Sequence, residues 1–173
     1  VVFEDQHIVF ESWRQNLDTG LCPEDKMDLL FSFHFSASLA CIFPALLTGA
    51  SLHLLDLAKE GWAILPEWWR QHEITLANLS TTTFRKLIAM KKLISVPGMK
   101  MLGIGAEAMN QEDVKGFLTF FPNTCELQQS YASTEARTIS QWLLRKHGWD
   151  PQTPVPVGYA VTGKQLSILH PDG

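Results

Sequence analysis

Residues 74–131 read ITLANLSTTTFRKLIAMKKLISVPGMKMLGIGAEAMNQEDVKGFLTFFPNTCELQQSY, and the order of apolar runs in this stretch decides the fold. Short apolar runs at 74–79, 100–104 and 124–131 have strand length, whereas 82–91 and 111–121 carry the longer apolar spacing of helices. Strands that alternate with helices in this way pair in parallel, and the helices cover both faces of the sheet.

The alternation continues toward the N-terminus. DLLFSFHF at 28–35 reads as a strand, 36–47 as a helix ending at Gly49, and SLHLLDL at 51–57 as a strand. Residues 65–72 read as a helix with Pro66 in its first turn, where a missing N–H costs nothing. Beyond 131 the pattern changes. Residues 138–144, a turn-rich stretch with Pro151, Pro154 and Pro156, and QLSIL at 165–169 predict antiparallel strands. The expected class is therefore α/β: a mainly parallel sheet with helices on both faces over 1–137, then the start of a smaller antiparallel β portion over 138–173. There is no internal repeat.

The chain has 173 residues, 46% hydrophobic and 18% charged, enough for one sizeable core and not for two complete domains. Fourteen Lys and Arg against eighteen Asp and Glu, with no dense basic cluster, argue against nucleic-acid binding. The longest apolar run, near 39–47, is broken by Pro44 and is far shorter than the ~20 residues of a membrane span. The opening residues show no initiator Met, basic leader or secretory segment, so an interior segment of a longer protein is expected. Cys22, Cys41 and Cys125 are widely spaced and odd in number, which points to reduced, buried or half-buried thiols in a cytoplasmic protein rather than a disulfide framework or a zinc site.

In open parallel sheets ligands bind beyond the carboxyl ends of the strands. That rule singles out residues 35–40, 80–82, 103–107 and 130–135. Gly103-Ile-Gly-Ala-Glu107 would let a planar ligand approach the backbone, although alone it is a common strand-to-helix turn and lacks the third glycine of a dinucleotide fingerprint. Ser130-Tyr-Ala-Ser-Thr-Glu135 offers an aromatic face, hydroxyls for a phosphate and a carboxylate for Mg²⁺, or simply a polar turn capped by Ser133 or Thr134. His34 reads either as a gate to a pocket or as a core histidine at a strand end. His53, His72, His147 and His170 lack metal-ligand spacing. Trp68, Trp69 and the Phe residues of 117–121 read as helix faces packed on the sheet, while Asp150-Pro and Asp172-Gly are turn signals.

Taken together, these segments resemble the adenylate-forming enzymes, the superfamily of nonribosomal peptide synthetase adenylation domains, acyl-CoA ligases and luciferases. Tyr131-Ala-Ser-Thr-Glu135 is similar to its Tyr-Gly-Pro-Thr-Glu or Tyr-Gly-Ser-Thr-Glu motif. Phe35-Ser-Ala-Ser38, followed by Phe43-Pro-Ala-Leu-Leu-Thr-Gly-Ala-Ser-Leu-His53, is similar to the adenylation-domain stretch that begins with Phe-Asp-x-Ser. Glu73-Ile-Thr-Leu-Ala-Asn-Leu79 resembles the strand entering the acyl pocket, and Gly105-Ala-Glu107 the Gly-Gly-Glu adenine loop. Val155-Pro-Val-Gly158 and residues 166–173 resemble the Pro-Ile-Gly segment and the strand closing on Asp-x-x-Gly, and residues 1–8 those following the Gly-rich phosphate loop. The order and spacing match across nearly the whole chain, within the middle of the family's large N-terminal region.

The resemblance implies an ATP-dependent ligase that joins a carboxylic acid to AMP and then transfers the acyl group to a thiol, of carrier-protein phosphopantetheine or of CoA. By resemblance, Tyr131 stacks on adenine, Gly105, Ala106 and Glu107 line the adenine edge, Thr134 bonds the α-phosphate and Glu135 coordinates Mg²⁺. The acid pocket carries over onto Ser36, Ala37, Ala40, Asn78, Gly103, Gly105, Ser130, Thr138 and Ile139, mostly small side chains that suggest a roomy slot. Two departures matter. Ala132 occupies a motif position often given to glycine and is expected to adopt a glycine-like backbone. Ser36 replaces the Asp that pairs with a substrate ammonium, which points to an acid without a free α-ammonium. The family's phosphate loop is expected before residue 1, and its ribose-binding Asp, hinge and C-terminal catalytic Lys after residue 173, so the isolated segment is expected to be inactive. A noncatalytic nucleotide- or partner-binding module is the competing class.

Overall fold

The computed structural model describes residues 1–145, 149–150 and 152–170. Pro151, His147 and the Asp172-Gly turn signal lie outside the described residues. A seven-stranded sheet organises the chain, in the order β2-β1-β3-β4-β5-β6-β7. Its strands are β1 (Lys26–Leu29), β2 (Ser51–Leu54), β3 (Leu76–Ser80), β4 (Met101–Gly105), β5 (Glu126–Ser133), β6 (Arg137–Leu144) and β7 (Tyr159–Ala160). Every pair from β2 to β5 is parallel, and β5–β6 and β6–β7 are antiparallel. The expected α/β class, parallel with an antiparallel end, is the one observed.

Alternate residues along each strand feed two cores, as the two-residue period of a strand requires. On one face Met27, Leu29, Leu76 and Met101 pack with Cys41 and Ala45 of α2 (Leu39–Thr48). On the other, Ala77, Leu79, Leu102, Ile104 and Leu127 pack beneath α4 (Leu65–Gln71), α5 (Thr81–Ala89) and α6 (Gln111–Phe120). Trp69, Phe117 and Phe121 are buried there, while Trp68 is half-buried. A single turn of helix, α3 (Leu57–Glu60), is capped by the Asp56 carboxylate, which accepts from Ala58 N–H at 3.0 Å.

Two expectations are corrected, and a third finding had no expectation behind it. The strand expected over 28–35 ends at Leu29, because Phe35 N–H turns back onto the Ser32 carbonyl at 2.9 Å and the rings of Phe31 and Phe35 meet at 6.0 Å. Residues 165–169 form no strand. The β6 edge they would occupy is taken by β7, paired as Ser140↔Ala160 and Gln141↔Tyr159, and Ile168 and Leu169 face solvent. The third concerns residues 5–19, which carried no helical expectation and form α1 (Asp5–Thr19).

α1 lies against α2 and repairs a defect in it. Pro44, inside α2, lacks the N–H that would bond the Ala40 carbonyl, and Gln15 of α1 donates to that carbonyl at 2.7 Å. α2 ends where expected, at Gly49 in the left-handed conformation. Asp150 also makes its expected turn, accepting from Gln152 N–H at 2.9 Å.

Candidate active site

The carboxyl ends of β1, β3, β4 and β5, roofed by α1 and the 3₁₀ turn Ser36–Ser38, enclose a cavity of about 340 Å³. Its floor is open where β4 carries Gly103 and Gly105, which add no side chain to it. Gly103 pairs with Asn78 across the sheet, and a Cβ on Gly103 would stand 2.6 Å from Asn78 Oδ1, so glycine and asparagine fit as a pair. Of the nine positions expected to form the acid pocket, eight line this cavity: Ser36, Ala37, Ala40, Asn78, Gly103, Gly105, Ser130 and Thr138. Ile139 does not. It follows Thr138 on β6, and successive residues of a strand point to opposite faces.

The residues expected to meet nucleotide stand at the rim. Tyr131, at the end of β5, is 54% exposed and leaves its ring face open for stacking. Thr134 lines the cavity, its Oγ1 3.5 Å from Ser36 Oγ. Glu135 is exposed, with no hydrogen bond or ion pair among the described residues. Ala106 and Glu107 occupy a loop pinned from two sides. The buried Thr81 hydroxyl reaches the carbonyls of Gly105 at 3.1 Å and Glu107 at 2.9 Å. Arg85, clamped bidentately by Asp113 at 2.9 and 2.8 Å, reaches the Ala108 carbonyl at 3.2 Å. Held this way, Ala106 takes φ 78°, a conformation disfavoured by about 1–3 kcal/mol for a residue with a Cβ. The glycine-like backbone expected at Ala132 is found at Ala106 instead. Ala132 is ordinary strand with a register shift beside it. His34 is exposed, in a loop, and is neither a core residue nor part of the lining.

Side chains that carried no functional expectation complete the wall. Gln128 Nε2 donates to Gln141 Oε1 at 2.9 Å, and Gln141 Nε2 reaches Asp18 at 3.4 Å. Asp18 in turn holds the buried Arg14 at 2.6 Å. Arg137 donates to the Ser36 carbonyl at 2.8 Å, and its guanidinium pKa is lowered chiefly by burial. The Cys41 thiol is pushed far up by burial, which keeps it an inert apolar wall. Among the described residues no Asp or Glu lines the cavity. Apolar and neutral polar groups thus surround a slot open toward Thr134, with Arg14 neutralised by Glu11 and Asp18 and the Arg137 guanidinium beside it, an arrangement that can seat a small acid.

Among the described residues no helix is long and apolar enough to cross a membrane, and no three His, Cys, Asp or Glu side chains converge as a metal site. Cys41 and Cys125 are buried and Cys22 is half-buried.

Comparison with known proteins bears on the family and the fold. The family of AMP-binding enzymes matches residues 5–173. Malpinin synthetase of Mortierella alpina is 28% identical over 149 residues, covering 85% of this chain and 2% of that protein. The L-proline:L-prolyl-carrier protein ligase of Streptomyces coelicolor is 25% identical over 168 residues, covering 95% of this chain and 31% of the ligase. The crystal structure of VinN superposes with a TM-score of 0.77 at 24% identity, covering 97% of this chain and 41% of VinN. The chain thus spans less than a third of the length of these two sequence relatives.

Proposed function

The chain belongs to the AMP-binding enzyme family, and from that premise we propose that it forms the acid- and adenine-binding part of an ATP-dependent ligase. Its substrate is a carboxylic acid without a free α-ammonium, and the acyl group passes from AMP to a thiol of a carrier protein or of CoA. In this reading 1–137 is the α/β core of the enzyme's N-terminal region and 138–173 begins its antiparallel portion. The observation that carries the proposal is the cavity beyond the parallel strands, which joins small acid-pocket residues to Thr134 and, among the described residues, is lined by no carboxylate.

In the proposed reaction a carboxylate oxygen attacks the α-phosphorus of ATP, and the bond to pyrophosphate breaks with its electron pair leaving on pyrophosphate. Little covalent work falls to the protein, so positioning and charge stabilisation dominate. Tyr131 stacks on adenine, and the pinned backbone of Gly105, Ala106 and Glu107 borders its edge. Thr134 donates to the α-phosphate. Mg²⁺ fits what this chain offers, since it takes one or two carboxylates plus phosphate oxygens and water rather than a protein cage, and Glu135 is an exposed carboxylate with no ion pair among the described residues. When bound, the metal would neutralise charge developing on the phosphates. Carrier-protein ligation is in the name of the Streptomyces relative, which favours a carrier thiol as acceptor.

The substrate reading rests on Ser36. An α-amino acid would place an ammonium in a cavity lined by no Asp or Glu among the described residues, and an unpaired buried cation costs several kcal/mol, roughly a thousandfold in binding. Pyrophosphate exchange by the full-length protein across a panel of acids tests it. The enzyme should prefer acids without an α-ammonium, and Ser36→Asp should shift preference toward the matching amino acid. Preference of the unmodified enzyme for a standard α-amino acid would refute the substrate assignment. Nucleotide binding without exchange on any acid would mark a noncatalytic module.

A further inference from the structure

Arg137 lines the cavity and sits where β6 begins, with its backbone at φ 57°. A residue with a side chain holds that conformation only when its surroundings impose it. Among the described residues its guanidinium makes one hydrogen bond, to the Ser36 carbonyl at 2.8 Å, and it lies 5.7 Å from the Phe3 ring centroid. Among the described residues no other acceptor is bonded to its five N–H donors.

The neighbouring cations are compensated. Arg14 is paired with Glu11 at 3.0 Å and with Asp18 at 2.6 Å, and Lys164 is paired with Glu11 at 2.7 Å. Two carboxylates thus face three cations. Arg137 is the one without a carboxylate in ion-pair range among the described residues, and Glu11 acts on it only over a longer distance. Around it the lining offers hydroxyls and amides, from Ser36, Thr138, Gln128 and Gln141, which can accompany an anion and cannot neutralise a guanidinium.

We propose that Arg137 selects the acid by charge, its guanidinium binding a second anionic oxygen group of the substrate, so that the class this pocket takes is a dicarboxylic acid. The inference rests on the acid-activating reading above and narrows it. A planar guanidinium matches a carboxylate geometrically, and a charge-assisted contact of this kind discriminates by about tenfold to a hundredfold. The same charge repels an ammonium at that place, which excludes β-amino as well as α-amino acids. The other anion within reach is the α-phosphate of ATP, because Thr134 Oγ1 lies only 3.5 Å from Ser36 Oγ. The test separates the two sources.

The full-length protein is assayed with matched acids whose far end is carboxylate, methyl or aminomethyl, in an aliphatic series from succinate to adipate and in a benzoate series. Exchange kcat/KM and calorimetric binding without ATP are both read. The diacid should lead its methyl analogue by about tenfold to a hundredfold in both readouts, and lead the amine by more. Arg137→Gln should erase the diacid preference and leave the KM for ATP unchanged, and Arg137→Lys should restore part of it. A wild-type enzyme indifferent to the far-end group would overturn the proposal. So would an Arg137→Gln variant that weakens every acid equally or raises the KM for ATP, the signatures of a structural or phosphate role. Should no acid support exchange, the ligase reading falls while the binding measurement still decides the anion site: diacid binding lost in Arg137→Gln supports it, and unchanged binding overturns it.

Discussion

Asp28, on β1, has a fully buried carboxyl that accepts from Trp69 Nε1 at 2.8 Å and from the Asn78 backbone N–H at 2.8 Å, with no cation paired to it among the described residues. Burial raises its pKa to about 7, against the two donors, which favour the anion. The folded pKa lies above the unfolded value, so the folded state keeps a proton that the unfolded state releases. The resulting stability is complete below about pH 4 and lost as pH rises toward about 7. Asp28→Asn cannot titrate, and the stability of the wild type relative to this variant should fall by a few kcal/mol at most over that range. Urea denaturation of both proteins at several pH values checks this, and parallel profiles would contradict it. The residue scale also shows what a single sequence conceals. Small residues such as Gly103 and Ala40 were legible as pocket residues through their motif positions. Arg137 was not, since nothing in the string Glu135-Ala-Arg-Thr138 reveals that a left-handed backbone brings the guanidinium to the Ser36 carbonyl.

Among the elements, the antiparallel edge depends on a glycine at a backbone crossing. Gly158 has φ 86°, and a Cβ there would stand 1.8 Å from the Gln141 carbonyl oxygen, within β6 itself. The segment is held there by Ser140 Oγ, which donates to the Val157 carbonyl at 2.7 Å. Gly158→Ala should cost about 2 kcal/mol or more, because the chain must either break from β6 or carry both the strain and the clash. A lowered urea midpoint with faster amide exchange at the β6–β7 pairing is the expected result, and an unchanged midpoint would contradict it. The parallel strands and α4 to α6 were readable because each buries an apolar run of the right period. α1 was not. Its buried positions are Ser12 and Arg14, while Val9, Phe10, Trp13 and Leu17 are exposed, so the apolar stripe that usually marks a core-facing helix points away from the described core. Pocket residues Arg14 and Gln15 were missed with it.

Across the whole molecule, a parallel sheet opens its carboxyl ends into one cavity, and the groups that resemble an adenylation site meet there although they are spread from Ser36 to Thr138 in sequence. Topology was legible enough to name those strand ends in advance. The charge of the cavity was not, because it depends on which of Arg14, Lys164 and Arg137 finds a carboxylate in space. The central claim is that Thr134 and Glu135 serve acyl adenylation. The most direct measurement is carboxylate-dependent ATP–pyrophosphate exchange by the full-length protein, wild type against Glu135→Gln, at saturating Mg²⁺. The account predicts exchange that depends on an added acid and falls roughly 100-fold or more in the variant. Near-normal exchange in Glu135→Gln would contradict it.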